Sequence, residues 1–419
     1  MSLKINKHVL IWSIITYLFV FQRALVGSIS IFNYMDELFA IIVGMNLVAK
    51  TLSKKIRLSA DERTILCLLI LVCIIGIIGN AVSGLLTQPM YIVIDVISTV
   101  KVWLAYYAIV MTNWRRHVYD ELIQLMAKWG RLLVWIMLFF MVLSQVVDIG
   151  MTASARYGIR SFQFVYNVPG NFSKMFYFLV PLLTADLFYK SSLYKKIVIA
   201  GALVVWVSTM RSRAFSFVAV FLLMAGFFFT SNGKKWGEKI RKKIKVAYII
   251  PICVVAVAIC WNQLVFYFTS DTQARSVLLR FGIMTMMTYF PLGAGFGTFG
   301  SDVAATQYSP LYKKYGFNSI YGMRQDETYF LNDNYWPMMM GQFGFFGTML
   351  IWVALIKFMR MTINSTKENK YMYFSTFCAL GFLLLSSVAS KSYSEFSSIC
   401  VFILIGIFVK RSRTVEEKG

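Results

Sequence analysis

The sequence is short of charge and of reactive side chains. Asp, Glu, Lys and Arg make up 15% of its 419 residues, whereas a soluble domain carries about a quarter. With 58% hydrophobic residues, no aqueous fold could cover its own surface with polar groups, which excludes an ordinary globular enzyme. There are two histidines, His8 and His117, and both fall on the side that the charge pattern below assigns to the cytoplasm. A site on the opposite side therefore has no histidine to act as base or ligand. The six cysteines (Cys67, Cys73, Cys253, Cys260, Cys378, Cys400) all lie inside apolar blocks, without metal-ligand spacing and outside any loop where a structural disulfide would form. Walker-type and dinucleotide-binding glycine loops are missing, which argues against ATP-driven transport by this chain alone. No small-residue cleavage site follows the first apolar run, which leads into Gln22 and Arg23, so the run reads as a retained span.

What is present is a series of apolar blocks, each close to the length that crosses a hydrocarbon core of about 30 Å as a helix. They predict an all-α polytopic membrane protein with twelve spans: 8–22, 35–50, 64–84, 90–111, 131–149, 172–189, 195–210, 214–230, 246–266, 336–357, 371–388 and 393–410. Residues 1–419 form a single transmembrane domain, with one large external loop over 267–335. If the sides alternate from a cytoplasmic N-terminus, 29 of the 42 basic residues fall inside and 12 outside, with Lys101 within a span. The positive-inside rule then places both termini in the cytoplasm. It also accounts for the net charge of +23 without nucleic acid as a partner.

Three segments test this topology. Residues 197–229 are apolar except around Arg211, Ser212 and Arg213. As one helix they would be about 50 Å long with two arginines near mid-membrane, so two spans joined by a tight outer turn are expected. Residues 114–129 put Val118, Leu122, Leu125, Met126 and Trp129 on one helical face, as in an amphipathic helix lying on the cytoplasmic surface. The loop 267–335 is too long to be structureless in a compact body unless it carries function.

Polar groups gather on the expected outer side. Arg156 and Arg160 precede the sixth span, Arg211 and Arg213 sit at the turn before the eighth, and Arg275 and Arg280 open the large loop. Guanidinium forks match phosphate oxygens and stay charged in a dry site. Interfacial anchoring is the reading favoured for Arg156, Arg275 and Lys174, and function for Arg213 and Arg280. Asp326, Glu327 and Asp333 close the loop. A carboxylate there can act as general base toward a sugar hydroxyl, hold a divalent ion, or be solvated loop charge. Lys101 lies deep in its span, where an ionisable residue marks a functional hypothesis, here a substrate contact. Asp95 is not on its helical face, so it needs a partner on another helix or a lipid phosphate. Arg23, Asp36 and Glu37 form a smaller set at the first outer loop, where the two acids suit the start of a helix.

Three stretches resemble the O-antigen polymerase and O-antigen ligase group of bacterial polysaccharide enzymes. Ser208-Thr209-Met210-Arg211-Ser212-Arg213-Ala214 is similar to the group's Ser-Arg turn. Arg280, then Pro291-Leu292-Gly293-Ala294-Gly295-Phe296-Gly297, is similar to its Arg followed by Pro-x-Gly-x-Gly. Asp333-Asn334 with Gly344 and Gly347 is similar to its His-Asn…Gly-x-x-Gly pattern, with Asp333 in place of the histidine. Arg160 with Pro169-Gly170-Asn171 resembles a further stretch weakly. The likeness covers the second half of the chain.

The resemblance implies a GT-C-like glycosyltransferase in a bacterial cytoplasmic membrane, working without metal, nucleotide or other cofactor. Its donor and acceptor would be undecaprenyl-diphosphate-linked oligosaccharides, its other partners membrane lipids and a chain-length regulator. Arg213 and Arg280, supported by Arg211 and Arg160, would stabilise the diphosphate leaving group. Asp333, then Glu327, would be the base. Tyr321, Tyr329, Tyr335 and Trp336 would stack on sugars or serve as belt aromatics. The missing histidine favours a polymerase over a ligase. A flippase or other secondary transporter is the rival of a different class.

Overall fold

The computed structural model describes residues 6–27, 29–85, 88–156, 158–229 and 273–416, with Trp261 and Val265 as isolated positions. The expected span 246–266 otherwise lies outside the described residues, as does the basic segment 231–245. Among the described residues there are fourteen α-helices and one two-stranded ribbon. Seven of the described helical segments are long and apolar enough to cross a membrane: 7–26, 30–52, 60–83, 89–110, 116–146, 212–229 and 335–366. The protein is a multi-pass membrane protein.

The first four helices follow the hydropathy blocks: α1 (Lys7–Val26), α2 (Met35–Leu52), α3 (Ala60–Ser83) and α4 (Pro89–Val110). Local signals set their ends. Ser59 and Glu62 cap each other's backbone at the start of α3, and Gly84 ends it in the left-handed region, φ 62°. Pro89 opens α4, where its missing N–H costs nothing.

Helix α5 (Arg116–Val146) corrects the expectation for 114–129. The amphipathic stretch is not a separate surface helix but the first half of one helix about 46 Å long at 1.5 Å per residue. Its apolar face, with Val118, Leu122 and Met126, is buried in the bundle. The ribbon follows, β1 (Thr152–Arg156) against β2 (Ile159–Phe162), antiparallel.

Helices α6 (Pro169–Asp186), α7 (Leu193–Val207) and α8 (Ser212–Phe229) come next. The apolar stretch 197–229 is broken as expected: the helix stops at Val207, and Met210 has φ 50° before α8 begins. Two helices meet at Arg211 to Arg213.

Residues 274–334 fold into a compact unit. Helix α9 (Ala274–Thr288) and the short α10 (Asp302–Gln307) and α11 (Pro310–Lys314) enclose a small core that includes Leu278, Phe299, Tyr312 and Phe317. Helices α12 (Tyr335–Thr366), α13 (Lys370–Ser387) and α14 (Phe396–Glu416) complete the bundle. Helix α14 is buried on all sides from Ile399 to Val409, Gly406 included, against α1, α4, α5 and α6. An all-round apolar helix belongs in such a place.

Helix α12 modifies the expected span 336–357. Gly344, at φ 60° and ψ −157°, occupies backbone space open essentially to glycine alone. The chain folds back there, so that Trp336 and Trp352 stack with ring centroids 4.3 Å apart. Sixteen residues of straight helix would separate them by about 24 Å. Residues 345–366 remain long enough to cross, and 335–343 return beside α9.

The glycines of 291–297 serve this junction. Ala294 and Gly295 donate backbone hydrogen bonds to Gly341 and Gln342, each 2.9 Å. A methyl group on Gly295 would run into the backbone nitrogen of Asn80 on α3. Asn80 and Asp95 close the seam by bonding Phe296 and Gly297. This motif is a clasp between α3, α4 and α12.

Candidate anion and sugar site

Two adjoining cavities open at the end of the bundle that carries the 274–334 unit. Their volumes are about 410 and 370 Å³, and both are walled by Asn171, Lys174 and Asp333. That size suits a small organic ligand. The segments around them are those that alternation puts on one side. Arg23, Arg156, Asn171, Arg211 to Arg213, Arg275 to Asp333, and Ala389 to Lys391 all contribute.

The smaller cavity is strongly cationic. Arg156 from β1, Lys174 from α6, Arg211 from the α7–α8 turn, Arg213 from the first turn of α8, and Arg275 from the first turn of α9 line it, against one carboxylate among the described residues, Asp333. Arg213 also donates to the Ser386 hydroxyl on α13, 3.4 Å. The helices α6 and α8 both begin at this cavity, with Gly170 and Ser212 in its wall. Their N-terminal ends add partial positive charge to that of the side chains. The arrangement suits a polyanion such as a diphosphate.

The larger cavity is balanced. Arg23, Lys174 and Lys391 face Asp302, Asp333 and Glu395, with Asn171, Asn332, Ser397 and Tyr329 between them. The carboxylates are paired: Glu395 with Lys174 at 2.7 Å, Asp333 with Arg275 at 2.8 Å, and Asp302 with Lys391. Asn332 also donates to Asp302. Desolvation would raise the Asp302 carboxyl, but the charge and hydrogen bond of Lys391, helped by Lys101 and Asn332, hold it at about 2. A wall of fixed donors and acceptors with one exposed aromatic suits a neutral hydroxyl-rich ligand.

The structure thus brings together Asp333, Arg211 and Arg213 from the expected set, and separates the rest. Arg280 lies outside both cavities and is exposed, with its guanidinium 5.8 Å from the Phe281 ring. Five residues along α9 turn it about 140° from Arg275, so one face of the helix cannot present both to one cavity. Arg160 bonds the Gln145 carbonyl at 2.6 Å. It fastens β2 to the last turn of α5, where a cation is favoured. Glu327 lies outside the cavity walls. Tyr335 is buried against Tyr393, and Trp336 is occupied by Trp352 and the Ser387 hydroxyl. Of the aromatics, Tyr329 reaches the larger cavity.

Lys101 also stands apart. Its ammonium lies 2.5 Å from Asp36 and 3.6 Å from Glu37 on α2, and Gln22 bonds Asp36 as well. The partner on another helix is therefore the acid pair at the start of α2, and Lys101 is not part of either cavity wall. Asp95 faces Gly297 and Gln342 instead.

Arg156, Arg275 and Lys174, expected as interfacial anchors, line the cavities, and so do Asp302, Lys391 and Glu395, which no sequence motif singles out. A usable signal was present. Seven of the twelve basic residues that alternation places on the less basic side line these cavities. Cations retained against the topological bias are the ones to follow.

No protein-family model matches the chain, and no curated protein matches it.

Proposed function

We propose that this protein is a polysaccharide polymerase of the O-antigen kind: a twelve-span, GT-C-like glycosyltransferase of a bacterial cytoplasmic membrane, with both termini in the cytoplasm. It moves a glycan from undecaprenyl diphosphate onto a lipid-linked repeat unit at the outer face. The observation that carries this reading is the smaller cavity, where, among the described residues, five cations and two helix N-termini face a single carboxylate. Its neighbour, balanced in charge and rimmed by Tyr329, offers space for the sugar next to the phosphate.

The chemistry follows from that layout. The acceptor hydroxyl oxygen attacks the anomeric carbon of the donor, and the bond from that carbon to the phosphate oxygen breaks. The electron pair leaves with undecaprenyl diphosphate, whose growing charge Arg211, Arg213 and Arg275 meet with donors already in place. The hydroxyl proton passes to Asp333, at the junction of the cavities. Lys174 and Asn171, in both walls, bridge the phosphate and sugar positions.

The test is purified protein in lipid with one lipid-linked repeat as sole substrate. Elongation supports the polymerase. Transfer only to lipid A core would make the protein a ligase, and movement of repeats across the bilayer without elongation would make it a flippase. The pairing of Lys101 with Asp36 inside the bundle favours the enzyme over the transporter, because the deep cation already has its counter-ion.

A further inference from the structure

We infer that Arg275 passes between two anions during turnover: it pairs with Asp333, and the donor diphosphate draws it away, releasing Asp333 to take the acceptor proton. This rests on the diphosphate reading of the smaller cavity. Arg275 Nη2 lies 2.8 Å from Asp333 Oδ2, and both residues wall that cavity, so the ion pair fronts the space an anion would fill. Asp333 alone of the two extends into the larger cavity. Its side chain is 34% exposed and that of Arg275 15%, so the pair is accessible from the cavity without being a loose surface contact.

The two partners come from separate segments. Arg275 stands in the first turn of α9, and Asp333 lies two residues before the first residue of α12. Rotation about the long arginine side chain can therefore break the contact while the backbone stays fixed. A diphosphate carries more charge than a carboxylate and accepts a bidentate guanidinium fork, so it competes well for Arg275. Once Arg275 has turned, Asp333 is a bare carboxylate beside a diphosphate.

The acceptor hydroxyl supplies that proton as its oxygen bonds to the anomeric carbon and the diphosphate departs with the bond pair. The proton on Asp333 returns to water when Arg275 swings back. The base is thus armed only when donor is bound.

A double-mutant cycle on the full chain in lipid nanodiscs tests this, with inorganic pyrophosphate as the probe. Asp333→Asn removes this contact of Arg275 and is expected to tighten pyrophosphate binding about tenfold. The gain is expected to disappear in the Arg275→Gln background. A gain of the same size in both backgrounds would mean simple repulsion by Asp333 and would overturn the exchange, as would no gain from Asp333→Asn. If none of the four proteins bound pyrophosphate, the diphosphate reading itself would fall. Arg275→Lys is the companion variant should Arg275→Gln not fold: a lysine holds a point charge without the fork, and the gain should shrink to about threefold. A gain as large as that with arginine would overturn the proposal.

Discussion

The Lys174 ammonium lies 2.7 Å from the Glu395 carboxylate and ties α6 to the chain just before α14, with side-chain exposures of 16% and 9%. Both groups belong to the wall of the larger cavity. Removing one partner leaves an uncompensated charge in a poorly solvated place, which costs roughly 3–5 kcal/mol. Glu395→Gln is therefore expected to lower thermal stability clearly, and Lys174→Met with Glu395→Gln to recover much of the loss. Melting of the single and double variants in detergent measures both. Additive losses would show that the two side chains do not act as a pair.

Arg211→Ala and Arg213→Ala are each expected to slow transfer about a hundredfold, as loss of a charge-stabilising donor does. Arg280→Ala should stay within a few-fold, because Arg280 lines neither cavity. The sequence resemblance gives Arg280 equal weight with Arg213. Turnover on a lipid-linked repeat ranks the three. A dead Arg280 variant beside an active Arg213 variant would move the site toward the exposed face of α9.

Lys101→Met is expected to destabilise the protein by about 3 kcal/mol or more, since it strands Asp36, which is 2% exposed. Activity per folded molecule should be unchanged. A variant that folds normally but has lost activity would return Lys101 to the substrate site.

Gly295→Ala is expected to cost roughly 2–4 kcal/mol, through contact with the Asn80 backbone and a φ of 93°. Gly381→Ala, where a new methyl group meets nothing within 4 Å, should be neutral or slightly favourable. Comparable melting temperatures for the two variants would remove the clasp.

The Asp302 carboxyl, held at about 2, binds its proton less readily in the folded protein than in an unfolded chain, where it titrates near 3.9. Its contact with Lys391 therefore contributes fully above the unfolded value and fades as pH falls through the folded one. The stability difference between Asp302→Asn and the native protein should be nearly constant from pH 5 to 8, shrink from about pH 4 downward and be largely gone below about pH 2. A difference that already changed near pH 6 would assign that titration to another group.

The sequence by itself determined the helices and where most of them end. Hydropathy blocks of membrane-crossing length and local caps such as Ser59 with Glu62 act over a few residues, so linear order is enough to read them. The break at Met210 was legible because a merged helix would have placed Arg211 and Arg213 inside the bilayer. The order also singled out Asp333, Arg211 and Arg213. What only the tertiary structure decided was which polar groups meet. Arg275 and Arg280 look alike in sequence, but helical rotation sends one to the cavity and the other away. Lys101 found its counter-ion on α2, sixty-five residues earlier. Glu395 and Lys174 are 221 positions apart. Fold-back at Gly344 carries the start of α12 beside α9, next to the cavities that hold Asp333, and no local pattern announces so sharp a reversal. Pairing between distant charges depends on how helices are laid side by side, and that is fixed by packing across the whole bundle.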